Sequence, residues 1–205
     1  MLLALIALPK PAWFTYWEWP TQVILVGALS WFTWPTGVSL RPEHWLKSIA
    51  IGALVFVLWI GPELIDANYR HTFLFSNRLW HVGSSLSAEA LRSPSVLFWR
   101  TVRASTVVPV AEELFWRAWL MRWLIHNDFH KVPLGAYAPM AFWVTALLFG
   151  AEHGAYWDVG LLTGVIYNYW MVRYKSLGDC ILVHAVTNLT MSLYAIQLSQ
   201  WQYWQ

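Results

Sequence analysis

The sequence predicts an all-α, polytopic bundle of about six to eight membrane-spanning helices. Three observations carry this expectation. Charged residues are 12% of the chain, about half the roughly 25% that a soluble domain uses to cover its surface. Trp and Tyr number 17 and 9, and such rings favour the headgroup level of a bilayer. Apolar runs of about twenty residues also follow one another, each long enough to cross about 30 Å of hydrocarbon. The alternative is an unusually apolar soluble bundle, for which this charge supply is thin.

The elements follow in order. The apolar N-terminus, Met1 to Leu8, stops at Pro9, Lys10 and Pro11. It lacks a basic segment ahead of it, which makes it a poor signal peptide, and it is too short to cross alone. Spans are expected over about 22–40 and 48–65, joined by a polar link with Arg41 and Lys47. Residues 66–95 mix Asp66, Asn68, Arg70, His71, Asn77, Arg78, His81 and Arg92 with Phe and Leu, and Gly83, Ser84 and Ser85 mark a loop. That composition predicts an interfacial stretch with an amphipathic helix. A long helix kinked at Pro109 is expected over about 94–126, then spans over about 136–156, 159–173 and 179–198. The whole chain, 1–205, reads as one membrane domain with neither repeat nor linker. Lys and Arg in the short loops favour one side, which places Arg41, Lys47, Arg122, Lys131, Arg173 and Lys175 in the cytoplasm.

The basic residues are scattered, so no nucleic-acid footprint exists. The single cysteine, Cys180, excludes an internal disulfide. HExxH, GxSxG and Walker A patterns are absent, which removes zincin, serine-hydrolase and P-loop chemistry.

Ionisable groups inside spans cost about 2.5 to 3.5 kcal/mol each, and they mark function or pair internally. Three groups stand out. Glu112 and Glu113 are adjacent, about 100° apart on a helix, and Arg117 follows Glu113 at the favourable acid-first spacing of four. Arg117 can therefore neutralise Glu113 while Glu112 points elsewhere, desolvated and suited to proton transfer. Phe149 and His153 share one helix face, and so do His184 and Asn188. Each group alone reads equally well as hydrogen-bonding glue between helices. Together, on three spans, they supply a base, a partner to orient water and donors for an oxyanion. Cys180 shares a face with His184, but a Cys/His nucleophile would leave the glutamates idle.

The order EExxxR (Glu112, Glu113, Arg117), FxxxH (Phe149, His153), HxxxN (His184, Asn188) resembles the type II CAAX prenyl protease family, also called the ABI or CPBP family of intramembrane proteases. The resemblance covers about 94–198 and implies a catalytic core there. It implies that Glu112 and His153 activate water for peptide hydrolysis. His184 and Asn188 would stabilise the oxyanion, and Glu113, Arg117 and Phe149 would support the site. A metal-dependent version would use Glu112, His153 and His184 as zinc ligands; the metal-free version needs only the glutamate. The substrate would be a membrane-associated protein or peptide, the other partner the lipid bilayer, and the setting a bacterial inner membrane. Two other classes fit the residues less fully: a non-catalytic immunity or scaffold protein, and a small proton-coupled transporter. The transporter reading predicts that Glu112, His153 and His184 do not cluster.

Overall fold

A computed structural model of the chain describes residues 16–77, 82–84 and 86–204. The N-terminal apolar run and the loop positions Arg78, His81 and Ser85 lie outside the described residues. All regular structure among the described residues is helical, as expected.

Helix α1 spans Glu18–Phe32. It ends well before residue 40, where the expected span ended. Pro35 has no N–H to continue the ladder and disfavours helical geometry at Trp34, and Gly37 then turns with a φ of 79°. Helix α2 spans Trp45–Ile65. Among the described residues of the 66–95 region the regular structure is two short 3-10 turns, Tyr69–His71 and Ala90–Arg92, with no amphipathic helix. The amphipathic run begins later, as helix α3, Pro94–Ser105.

The long kinked helix expected over 94–126 is instead broken at Thr106, whose φ of −123° and ψ of −75° leave the helical region. Helix α4, Val107–Glu113, starts afresh there. Pro109 explains the position: its ring crowds the carbonyl four residues back, that of Ser105, and it has no N–H to offer it. Beyond Glu113 the chain continues through a π-helical segment, Leu114–Leu120, and a last α turn, Met121–Trp123. Then come α5, Pro139–Ala151, α6, Trp157–Tyr174, and α7, Leu177–Leu198.

Two of these helices, α2 and α7, are long and apolar enough to cross a membrane. They also pack tightly on one another. A Cβ on Gly52 of α2 would sit 2.7 Å from the Val183 carbonyl oxygen of α7. Their N-termini share an anchor: Asp179 Oδ1 accepts the His44 backbone N–H at 2.9 Å and the Ser48 hydroxyl at 3.2 Å. Helices α5 and α6 approach closely where Gly150 meets the Leu161 backbone and Gly164 meets Ala146, small residues that let backbones come together.

The bundle buries a few polar groups within an otherwise apolar core and exposes apolar side chains outside. Glu113, Arg117, Thr145 and Asn168 are fully buried, whereas Ile24, Phe32, Val57, Leu147 and Leu193 are exposed. A water-soluble fold would pay for both halves of that arrangement; a hydrocarbon surround rewards it.

Candidate active site

The two glutamates end α4, at the point where α-helical bonding gives way to the π segment. That change of winding carries Trp116, Arg117 and Ala118 inward together with Leu120. Single π turns recur at functional sites. Glu113 and Arg117 meet as their spacing predicts, with Arg117 Nη1 donating to Glu113 Oε1 at 3.0 Å, both side chains wholly buried.

His184 of α7 completes the centre. Its Nδ1 lies 2.8 Å from the same Glu113 oxygen. A carboxylate accepts only, so Nδ1 carries the proton and donates. The opposite nitrogen, Nε2, faces Glu112 Oε2 at 3.9 Å. One imidazole therefore stands between the paired acids. Glu112 is the acid that water can reach, since its side chain is 27% exposed while that of Glu113 is sealed.

Phe149 connects the second histidine to the first. Its ring centroid is 4.8 Å from that of His153 and 6.2 Å from that of His184. The Arg117 guanidinium stacks on the same ring at 4.6 Å, a cation–π contact. Helix α5 stops at Ala151, so His153 sits in the turn just after it, within electrostatic reach of His184 and Arg117. Its Nδ1 donates to the Phe149 carbonyl at 2.6 Å. Nε2 is then left as the acceptor nitrogen.

Asn188 has one of its amide N–H groups engaged outside the acid cluster. Its Nδ2 donates to the Ala104 carbonyl at 2.9 Å, on the last turn of α3. Its one hydrogen bond thus pins α7 to α3 and does not reach the acids or His184. Glu152, beside His153, is exposed and lies within electrostatic reach of Glu112. Cys180 is buried, its thiol directed at the Tyr167 carbonyl and Met171 Sδ, both at 3.8 Å. It packs, and offers no nucleophile to the acids.

Three further residues hold the centre. Asn168 Oδ1 accepts from Arg117 Nε at 3.0 Å, and its Nδ2 donates to the Phe142 carbonyl at 2.8 Å. Tyr167 lies under the guanidinium at 5.3 Å and donates its hydroxyl to Thr187 at 2.9 Å. Trp59 of α2 packs edge-on against His153 at 5.3 Å. An amide in the middle of the apolar run Val165 to Met171 was a readable sign for Asn168; Tyr167 and Trp59 carry no such sign among so many rings.

The zinc set Glu112, His153 and His184 does not fit the structure. Among the described residues no three His, Cys, Asp or Glu side chains are grouped to hold a metal ion. The Nδ1 atoms of both histidines are engaged, by Glu113 and by a carbonyl, so only their Nε2 atoms remain for a metal, and these do not gather with Glu112 into a three-ligand group.

Comparison with curated proteins and with solved structures gave no match. A protein-family model does match: residues 94–190 fit the type II CAAX prenyl endopeptidase Rce1-like family. All three motifs fall within that stretch, so it is through residues 94–190 that the chain is similar to the Rce1-like type II CAAX prenyl endopeptidases.

Proposed function

We propose that this chain is an intramembrane endopeptidase that hydrolyses a peptide bond of a membrane-associated protein or peptide. The observation that carries the reading is His184 held between Glu113 at 2.8 Å and Glu112 at 3.9 Å. Glu112, partly accessible, takes the proton of the attacking water and later passes it to the leaving amine. His153 Nε2, left as an acceptor by the Nδ1 bond to Phe149, orients that water. As an imidazolium between the two carboxylates, His184 would carry a second N–H at Nε2, and this and the second N–H of Asn188 would donate to the tetrahedral oxyanion. Glu113 and Arg117 fix the ring of His184 and take no proton themselves.

The substrate class follows from the surroundings. A cavity of about 510 Å³ lies between α1, the α3–α4 break and α7, lined by Gly27, Trp31, Val107, Val110 and Ile181 among others. Val110 stands two residues before Glu112 on the same helix. An apolar anchor or segment of the substrate occupies that cavity while its peptide bond meets Glu112. The exposed apolar side chains around the bundle support a polytopic setting in lipid, in a bacterial inner membrane, with α1 and α5 crossing together with their neighbours.

The test is cleavage of a fluorogenic prenyl-cysteine peptide by the purified protein in proteoliposomes. Glu112→Ala and His153→Ala should each abolish cleavage while the helical circular dichroism and melting transition persist. Undiminished cleavage by either folded variant removes the reading. Glu112→Gln separates it from a scaffold role, because a scaffold keeps its cellular activity in that variant.

A further inference from the structure

Arg70 is almost wholly buried, 1% exposed, on a loop that precedes the family-matched stretch. Its Nη1 donates to Asp158 Oδ1 and to the Ala155 carbonyl, both at 2.8 Å. Its Nε faces Glu63 Oε2 at 3.7 Å, and its guanidinium lies 4.1 Å from the Tyr156 ring centroid. Tyr69 donates its hydroxyl to the other oxygen of Asp158 at 3.0 Å, and Tyr156 donates to Glu63 at 3.4 Å. The cation thus ties the end of α2 and the following loop to the turn 152–156 and to the first residues of α6.

That turn carries His153. Tyr156 N–H donates to the His153 carbonyl at 2.9 Å, so the segment Arg70 grips is bonded directly to it. Trp59 extends the grip: it packs on His153, stacks on Tyr156 at 5.7 Å, and donates its indole N–H to Thr163 at 2.7 Å. From below, a Cβ on Gly160 would lie 3.1 Å from three atoms of His153. The ring has wall on several sides, and helix α5 has already ended. From its own helix, the His153 ring nitrogen is held by the Phe149 carbonyl and its backbone N–H by the Gly150 carbonyl at 3.1 Å.

We propose that Arg70, through Asp158 and the Ala155 carbonyl, is a positioning residue that fixes the orientation of the His153 ring. The inference rests on the peptidase reading for its effect on rate, but not for its effect on the ring. A buried guanidinium is suited to the task, because its one Nη1 ties a carboxylate of α6 to a carbonyl of the turn while the plane of the group rests on the Tyr156 ring. Loosening it shifts the turn by a fraction of an ångström to an ångström, and misplacement on that scale costs up to about 100-fold in rate.

The experiment compares wild type with Arg70→Lys, Arg70→Met and Asp158→Asn, all full-length in detergent and proteoliposomes. The first readout is the hydrogen-bonded Nδ1–H proton of His153 by NMR, assigned by its absence in His153→Gln. It should stay sharp in wild type, broaden in Arg70→Lys and vanish in Arg70→Met and Asp158→Asn. The second readout is cleavage of the prenyl-cysteine peptide. There kcat should fall about 10- to 100-fold with KM changed less than about threefold, and Arg70→Lys should recover part of it. Should Arg70→Met fail to fold, Asp158→Asn, which keeps the side-chain shape, decides. A folded Asp158→Asn with an unchanged His153 signal overturns the proposal. If instead the signal changes but wild type shows no Glu112-dependent cleavage, the positioning stands and the peptidase reading falls.

Discussion

Arg117 and Asn168 meet across two helices, the guanidinium Nε donating to the amide oxygen at 3.0 Å, with both side chains sealed from solvent. The same amide donates onward to the Phe142 carbonyl of α5. One residue of α6 thereby joins the ion pair to the helix that leads to His153. Asn168→Leu leaves a buried guanidinium N–H without its partner and removes the second hydrogen bond to the Phe142 carbonyl. It should lower stability by about 1–3 kcal/mol, read as a fall in the melting temperature in detergent, with reduced cleavage as a secondary effect.

The two adjacent glutamates should separate cleanly. Glu113→Gln leaves Arg117 as a buried charge without its counter-ion, which costs about 3–5 kcal/mol, and it frees the ring of His184. Both stability and cleavage should drop. Glu112→Gln touches a partly exposed side chain and should leave the melting transition within about 1 kcal/mol of wild type while removing cleavage. Equal losses of stability in the two variants would contradict these separate roles.

Glycines of α2 offer a packing test. A Cβ at Gly52 meets the Val183 oxygen and Val186 Cβ at 2.7 Å, while one at Gly61 meets nothing within 4 Å. Gly52→Ala should therefore destabilise by about 1–3 kcal/mol through overpacking. Gly61→Ala, in an open helix interior, should be neutral or stabilising by up to about 1 kcal/mol. Thermal unfolding followed by circular dichroism distinguishes them.

The cavity beside α4 gives a prediction about substrate. Val110→Trp fills space within the 510 Å³ volume without touching the acids. KM for a prenylated peptide should rise about tenfold, with kcat much less affected, and an unprenylated peptide should show a smaller change. Titrations of cleavage against substrate in proteoliposomes supply both constants.

A chelator provides the last check. Because no three His, Cys, Asp or Glu side chains gather around a metal position among the described residues, 1,10-phenanthroline should leave the cleavage rate unchanged. A loss restored by added zinc would show that the site rearranges around a metal.

Much of this was readable from residue spacing. The Glu113–Arg117 pair follows from an interval of four on a helix, and the Phe149–His153 pairing survives even though α5 ends between them, because a carbonyl-to-imidazole bond spans the same interval. Sequence periodicity also found the helices of the C-terminal half. It could not show which partner each polar group takes across the bundle. Asn188 shares a face with His184 in the sequence, yet its amide is claimed by the Ala104 carbonyl, a group that any residue could have offered. The break at Thr106 was placed at Pro109, since a proline disturbs the turn before it rather than its own position. Arg70 and Asp158 lie 88 positions apart, and only the folded chain brings them together.

The π-helical segment has a consequence of its own. Bonding from each residue to the fifth beyond it fits an additional residue into the winding. Deleting one residue between Leu114 and Leu120 would restore ordinary α-helix and turn everything after it by about 100° relative to the glutamates. Helix content would barely change, and the protein could remain inserted and folded. A deletion beyond Arg117 would leave its pairing with Glu113, four residues back, intact, while Met121 and the residues after it would turn to a different face of the bundle.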